Sequence, residues 1–303
     1  MRDYAKILES YCVDVESGAA ISCRTVKLAI KRYRLERERA AIDDSEYLFD
    51  EKKFLKVCIF IEKCCRHVKA EWAGRPYILA PPQVFMIANI FGLVHRETGY
   101  RKYRKMMYCV GRKAGKSLFA SALMAYMTVA DSEFGAESFS LATTESQAKL
   151  VYGACRMMIA GSPSLKKHAS ITAKLIMFAD PPFYESFIRP LGSDSRDKDG
   201  LSPHFTCLDE LHEWASFHQE LYNKMETGGG SRRQPLMCQI TTAGSEDSLI
   251  WKAQMGLCNR ILDSVEDGEL GPGETYFAFL AQIDEDDDPL DESCWPKANP
   301  LMS

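Results

Sequence analysis

The segment VGRKAGKS, residues 110–117, constrains the fold more than any other part of the sequence. The apolar run MMYCV leads into it, and the uninterrupted helical pattern SLFASALMAYMTVA follows it. A buried strand, a glycine-bearing loop and a helix, in this order, arrange backbone N–H groups around an anion beside the positive end of the helix dipole. The segment therefore predicts a phosphate-binding loop at the edge of a sheet.

The loop departs from the GxxxxGK[ST] pattern at one place. Gly115, Lys116 and Ser117 match, but Val110 occupies the first glycine position and Gly111 comes one residue later. Because the nest depends on backbone N–H groups, the departure leaves its chemistry intact. We expect Lys116 to bridge the outer phosphates of a nucleotide and the Ser117 hydroxyl to bind Mg²⁺.

Besides Lys116, the loop contains two cations, Arg112 and Lys113. They are either ordinary surface charges, or Arg112 reaches the terminal phosphate, where a planar guanidinium stabilises the charge of phosphoryl transfer. We expect the second for Arg112. We also expect the nucleotide cradle to include Lys113 and Ala114.

Strand and helix patterns alternate downstream of the loop, in SFSLATT, ESQAKLVYGACRMMIA, YESFIRPLG, HFTCLD, ELHEWASFHQELYNKMETG and LMCQITTAG. This alternation predicts an α/β fold of the P-loop NTPase type (the ASCE class), with a mostly parallel sheet flanked by helices. We expect a helical N-terminal region at residues 1–75 and the core at 76–245. Residues 246–303, with one helix and the strand TYFAFLA, are expected to form a small lid or linker subdomain.

The segment FTCLDE, Phe205–Glu210, is an apolar strand pattern that ends in two carboxylates. Such a pair can simply mark a strand end that enters a capped helix. At the carboxyl edge of a parallel sheet, beside a phosphate loop, it has a catalytic use. We expect Asp209 to hold Mg²⁺ and Glu210 to orient and deprotonate the attacking water.

The run ITTAG, residues 240–244, places small hydroxyl residues at another strand end. One interpretation is a plain turn. The other is a sensor, in which Thr241 or Thr242 hydrogen-bonds the attacking water or Glu210 and reports hydrolysis to the segment beyond.

Three further side chains have alternative interpretations. Gln83 suits either a helix surface or the reading of adenine, which needs one donor and one acceptor. Arg196 and Lys198, in the polar stretch 192–203, are either loop charges or a finger offered to the nucleotide of a neighbouring subunit.

The composition of the chain argues against several classes of protein. The formal net charge of −4 argues against a basic particle that coats nucleic acid. Residues 24–39 are nevertheless strongly basic and form either a solvated face or a nucleic-acid or partner surface. No stretch approaches the ~20 apolar residues of a membrane helix, and no signal peptide is evident. These absences predict a soluble, intracellular protein. The odd number of cysteines, 11, without CxxC pairs predicts a reducing compartment. Those in apolar runs are expected to be buried: Cys58, Cys109, Cys207 and Cys238.

Taken together, these segments resemble a known family. The runs RPYILAPPQVFMIANIFG, GRKAGKSLFAS, ATTESQAKLVYGA, SDSRDKDGLSPHFTCLDELHEW and ITTAGSEDSLIW, in this order, are similar to the ATPase domain of the large terminase subunit of tailed bacteriophages. That subunit is the motor that packages DNA into the capsid. An arginine in the loop is typical of the family, and the first glycine of the loop is often missing.

The resemblance implies ATP and Mg²⁺ as ligands and a role for each site residue. It makes Gln83 the adenine-reading glutamine, Glu210 the catalytic carboxylate and Arg112 the loop arginine. Arg196 corresponds to a finger acting on the adjacent subunit. The coupling motif would comprise Thr241, Thr242 and Gly244.

The resemblance also implies partners and a location. These are double-stranded DNA, the portal protein, the small terminase subunit and other copies of the chain in a ring, although an isolated chain can be a monomer. The location is the bacterial cytoplasm, for a phage- or prophage-encoded protein, with no membrane partner.

Large terminases also carry a C-terminal nuclease of the ribonuclease H type. The sequence ends where the family's linker would begin, and the acidic run 284–288 has no strand framework for metal ligation. We therefore expect no nuclease activity from this chain. Two alternatives remain: a helicase-like DNA translocase, which needs a second α/β lobe, and a nucleotide-binding adaptor without turnover.

Overall fold

The computed structural model describes residues 2–192, 200–244, 248–271 and 273–301. Its strands are β1 (Tyr47–Phe49), β2 (Leu93–His95), β3 (Lys105–Cys109), β4 (Glu137–Ala142), β5 (Ser170–Ile171), β6 (Ile176–Phe178), β7 (Ser186–Gly192), β8 (Pro203–Asp209), β9 (Leu236–Thr241) and β10 (Tyr276–Leu280). Its α-helices are α1 (Tyr4–Ser17), α2 (Arg24–Ala40), α3 (Glu51–Cys64), α4 (Pro81–Ile87), α5 (Lys116–Val129), α6 (Glu145–Gly161), α7 (Pro163–Lys166), α8 (Gln219–Gly228), α9 (Leu249–Asp263) and α10 (Trp295–Ala298).

Eight of the strands form one sheet in the order β10-β3-β9-β8-β4-β7-β6-β5. The strands from β10 to β7 are all parallel, and β6 and β5 add an antiparallel edge. Every residue of β8, β9 and β10 is buried, as expected for parallel strands covered on both faces. Helices α5 and α6 pack on the strands from β7 to β8, and α2 and α9 pack on β10. The predicted α/β architecture with a mostly parallel sheet is confirmed.

Strand β10 departs from the expected lid subdomain. It pairs in parallel with β3 over its whole length, from Tyr276 opposite Lys105 to Leu280 opposite Cys109. The strand therefore belongs to the central sheet and lies next to the strand that leads into the phosphate loop.

The N-terminal region also differs in detail from the sequence pattern. Strand β1 interrupts the expected helical stretch and pairs antiparallel with β2, from Tyr47 opposite His95 to Phe49 opposite Leu93. Helix α8 is preceded by two short 3-10 turns, Leu211–Glu213 and Ser216–His218, where one continuous helix was expected.

The basic helix α2 uses four of its arginines within the chain. Arg24 pairs with Asp263 and Glu266 of the segment around α9, while Arg34 pairs with Glu9 and Glu16 of α1. Arg32 is buried and donates to the carbonyl of Tyr276, and Arg37 stacks over the ring of Phe49. These contacts favour the structural interpretation of the basic run over a free nucleic-acid surface.

Four cysteines of the apolar runs lie inside the protein. Cys58, Cys109, Cys207 and Cys238 are buried and free, as predicted. Within the described ranges, no helix is long and apolar enough to cross a membrane.

Candidate functional site

The predicted loop connects β3 to α5 at the carboxyl edge of the sheet. Gly115 caps α5 at φ 69°, in the left-handed region that glycine adopts without a Cβ penalty, and Lys113 has φ 66°. The amide of Val110 donates to the carbonyl of Thr241 at 3.1 Å, which ties the loop entrance to the end of β9. The predicted order of strand, loop and helix is confirmed.

The side chains of the loop divide into exposed and buried ones. Arg112 and Lys113 are exposed, Ala114 is buried and Ser117 is half-buried in the first turn of α5. Lys116 is only 7% exposed, and its Nζ lies 3.1 Å from Oε1 of Glu210. The lysine of the loop and the second carboxylate of FTCLDE are therefore brought together.

Strand β8 delivers the two carboxylates to the same edge. Asp209 is its last residue and is buried, and the Glu210 amide donates to Oδ1 of Asp209 at 3.0 Å. Glu210 has φ 48° and ψ 55°, a left-handed conformation that is unusual for a residue with a side chain and is concentrated at functional sites. The buried Trp214 fixes the turn beyond, because its Nε1 donates to the carbonyl of Asp209 at 3.1 Å.

Burial, and after it the negative charge of Glu210, raise the pKa of Asp209 to about 7, because Lys116 offsets only part of their effect. A buried carboxyl group with too little positive charge around it suits a divalent cation, and Mg²⁺ prefers oxygen ligands. Asp209 at the end of β8 and the Ser117 hydroxyl in the first turn of α5 are oxygen donors that fit Mg²⁺ bound together with nucleotide phosphates.

A histidine that sequence analysis did not single out joins this site to β9. Nδ1 of His212 lies 3.0 Å from Oγ1 of Thr241 and 3.4 Å from Oε2 of Glu210. Thr241 and Thr242 are both buried at the end of β9. The DELH order, in which a histidine follows the acidic pair closely, is the signal that could have pointed to it.

Gly244 lies against the same histidine. A Cβ at Gly244 would come within 2.7 Å of the Cβ of His212 and within 2.7 Å of the ring of Trp251 in α9. A side chain at this position would therefore displace either the histidine or the helix.

Gln83 is buried in the first turn of α4. Its Oε1 accepts from the amide of Ala80 at 3.0 Å, and its Nε2 donates to the hydroxyl of Tyr77 at 2.8 Å. A cavity of ≈ 500 Å³, lined in part by Tyr11, Pro81 and Leu301, lies beside this helix. Arg196 and Lys198 lie outside the described residues.

The segment around α10 covers the phosphate loop. The amide of Gly111 donates to the carbonyl of Ala298 at 2.8 Å, and the Leu301 side chain lies 3.9 Å from the position of a Cβ on Gly115. Lys297 of the same segment pairs with Asp284 and Asp287 of the acidic run. Across the described ranges, no group of three or more His, Cys, Asp or Glu residues is arranged to hold a metal ion.

The sheet order and the site together define a class of protein. Strand β9 lies between the phosphate-loop strand β3 and the acidic strand β8, which is the arrangement of the ASCE class of P-loop ATPases. Within that class, residues 81–256 match the family "Terminase large subunit, ATPase domain", and this match covers more than half of the chain. The chain belongs to this family, whose ATPase domain hydrolyses ATP.

Two relatives define how far the similarity extends. Protein YmfN of Escherichia coli (strain K12) is 40% identical over 106 residues, which are 35% of this chain and 22% of YmfN. The crystal structure of the HK97 bacteriophage large terminase has a TM-score of 0.65 at 20% identity and covers 82% of this chain and 48% of that chain. The chain thus spans half or less of the length of either relative.

Replacing Asp209 by asparagine is expected to stabilise the protein at alkaline pH. The pKa of this carboxyl is raised in the folded state, so its stabilising contribution is complete below the pKa of the unfolded chain and is lost as the pH rises through 7. Asparagine imitates the protonated form at every pH. Urea unfolding without Mg²⁺ or nucleotide should show Asp209→Asn more stable than the wild type by up to about 4 kcal/mol at pH 8, with a smaller difference at pH 5.

Asp131→Asn is the matched control, and it is expected to change the stability in the opposite direction. Burial alone would raise the pKa of Asp131, but the charge of Arg101 and the contact with His204 outweigh it and hold the pKa below its usual range. Loss of the Asp131 carboxylate leaves the charge of the buried Arg101 unpaired, which lowers the free energy of unfolding by about 3 to 5 kcal/mol at neutral pH. Two variants that shift stability in the same direction at pH 8 would contradict the assignment of opposite pKa shifts.

Proposed function

We propose that this chain is the ATP-hydrolysing motor part of a terminase large subunit that drives double-stranded DNA into a procapsid. The observation that carries the proposal is the contact between Lys116 and Glu210, with Nζ and Oε1 3.1 Å apart. It links the phosphate loop to the acidic strand, so a nucleotide bound at the loop lies within reach of a general base.

Each residue of the site has a proposed role in hydrolysis. Lys116 binds the outer phosphates, and the amides of residues 111–115 complete the anion nest. Ser117 and Asp209 would hold Mg²⁺, which neutralises charge on the phosphates when it is bound. Glu210 then orients the attacking water and accepts its proton. Gln83 is proposed to read adenine. Its Nε2 keeps one hydrogen beside the bond to Tyr77, and its Oε1 keeps one lone pair beside the bond from Ala80.

An arginine is proposed to complete the site. Arg112 is exposed in the loop and can turn toward a bound γ-phosphate, while Arg196 is proposed as a finger toward the neighbouring subunit of a ring. An arginine of this kind contributes about 10³- to 10⁵-fold in rate. If a neighbour supplies it, an isolated chain hydrolyses ATP slowly.

Coupling to DNA movement is proposed to run through the end of β9. Thr241 contacts the turn that follows Glu210, and Gly244 packs against α9. Hydrolysis at the sheet edge would shift this segment. The proposed partners are double-stranded DNA, the portal protein, the small terminase subunit and further copies of the chain, in the cytoplasm of a bacterial host.

Two other functions have different requirements. A helicase-like translocase would need a second α/β lobe, and it does not account for the match of residues 81–256 to the terminase ATPase family. An adaptor without turnover has no use for a buried Lys116 held against a carboxylate. Both therefore have less support than the motor.

A packaging reaction tests the proposal. It would contain the chain, the small subunit, portal-bearing procapsids, linear double-stranded DNA, ATP and Mg²⁺. We expect slow ATP turnover by the chain alone, faster turnover in the full reaction, and DNA that becomes resistant to DNase only when ATP is present. Turnover with strand separation and no protected DNA would favour the helicase-like function, and absence of turnover in the full reaction would favour the adaptor.

A further inference from the structure

Building on the ATPase activity proposed above, we propose that His212 is a positioning residue for the catalytic carboxylate. In this role it holds Glu210 in place after Lys116 has turned to the nucleotide. It also joins Glu210 to the end of β9 and to α9.

The contacts of His212 are made on one side of its ring. Nδ1 lies 3.0 Å from Oγ1 of Thr241 and 3.4 Å from Oε2 of Glu210. The backbone amide of His212 also donates to Oγ1 of Thr241 at 3.2 Å. The side chain is 15% exposed, so these contacts are largely shielded from water. The main chain and the side chain of His212 thus both contact the hydroxyl group of Thr241.

The direction of the hydrogen bond between His212 and Thr241 follows from the partner of the Thr241 hydroxyl hydrogen. The Thr241 hydroxyl has one hydrogen, and the carbonyl of Thr242 accepts it at 2.9 Å. With its hydrogen given to Thr242, Oγ1 is an acceptor toward His212, and on this basis we assign the ring hydrogen to Nδ1. A protonated Nδ1 is also the form that attracts the carboxylate of Glu210.

The two oxygens of Glu210 have different partners. Oε1 pairs with Lys116, whereas Oε2 is buried without a hydrogen-bond partner, although Nδ1 of His212 lies only 3.4 Å away. A buried oxygen without a hydrogen bond is costly. When the phosphates draw Lys116 away, the carboxylate is free to close the 3.4 Å gap to His212. The histidine would then orient Glu210 while it acts on water.

The turn that carries His212 is also fastened to α9. The hydroxyl of Ser248, which caps α9, donates to the carbonyl of Trp214 at 2.6 Å. Gly244 lies between His212 and Trp251 without room for a Cβ. A displacement of Glu210 is therefore transmitted through the side chain of His212 to α9, the helix that follows Gly244.

Three substitutions at His212 separate positioning from packing. Asparagine places an amide nitrogen as many bonds from the backbone as Nδ1, glutamine places it one bond further, and alanine has none. We expect His212→Ala and His212→Gln to lower kcat about 10- to 100-fold, because a misplaced catalytic group costs that much. His212→Asn should recover most of kcat, and the Kd for ATP should stay unchanged in all three because His212 does not contact the loop.

A double-mutant cycle with Thr241→Val completes the test. If both residues act through Glu210, their effects on kcat are less than additive. Wild-type kcat in His212→Ala would overturn the inference, as would equal losses in all three variants with additive effects of Thr241→Val. Glu210→Gln, measured alongside, distinguishes a failure of the proposed ATPase function from a failure of the role of His212. If it retains wild-type turnover the proposed function fails, whereas its inactivity beside a fully active His212→Ala overturns only the role of His212.

Discussion

Replacing Lys116 by alanine is expected to lower ATP turnover about 100- to 1,000-fold and to weaken ATP binding. Lys116 is the first residue of α5 and is 7% exposed, and its ammonium group lies 3.1 Å from Oε1 of Glu210. Its removal takes away the cation that offsets the negative charge of the nucleotide, and alanine offers no substitute. Steady-state phosphate release and binding of a fluorescent ATP analogue measure the two effects separately.

Lys167→Ala is the control for this variant. Lys167 is an exposed lysine beyond α7, so the substitution removes the same charge without touching the site. Its turnover and Kd for ATP should equal those of the wild type. If Lys116→Ala hydrolyses ATP as fast as Lys167→Ala, the phosphate loop is not where the nucleotide is bound for hydrolysis.

The local parts of this site could be predicted from the sequence. The apolar run before residue 110, the loop and the long helix after it are neighbours in the chain, and their pattern determines β3, the loop and α5. The same holds for β8, because an apolar strand pattern that ends in Asp209 and Glu210 must deliver both carboxylates to one edge of the sheet.

The contacts between distant segments could not be predicted in this way. Nothing in the apolar run of β10 indicates that it pairs with β3, since a buried strand pattern is the same in a lid and in a central sheet. Strand β1 is three residues long and exists because it pairs with β2, far along the chain.

His212 shows the same limit within the site itself. The sequence places it two positions after Glu210, in a stretch with a helical pattern, where it would be an ordinary helix residue. The left-handed φ of 48° at Glu210 and the 3-10 turn that follows redirect it toward Thr241. Both depend on tertiary contacts, such as that of Trp214 with the carbonyl of Asp209.

Replacing Glu210 by glutamine is expected to abolish hydrolysis while ATP still binds. Glutamine keeps the size and shape of the side chain, but its amide cannot accept a proton from water, which removes general-base catalysis worth about 10²- to 10⁴-fold. Lys116 loses its carboxylate partner and is more available to the phosphates. The Kd for ATP should therefore stay equal to the wild-type value or fall, in contrast to its rise in Lys116→Ala.

Glu213→Gln provides the matched control for this change. Glu213 lies on the same turn and is exposed, and its Oε2 accepts from Nε2 of Gln147 at 2.8 Å, away from Lys116. The same exchange of carboxylate for amide at this position should leave kcat unchanged. Glu210→Gln with wild-type kcat, or with lost ATP binding and lost hydrolysis together, would contradict the assignment of Glu210 as the base. A variant that binds ATP tightly and does not turn it over separates the chemical step from the binding that Lys116 provides.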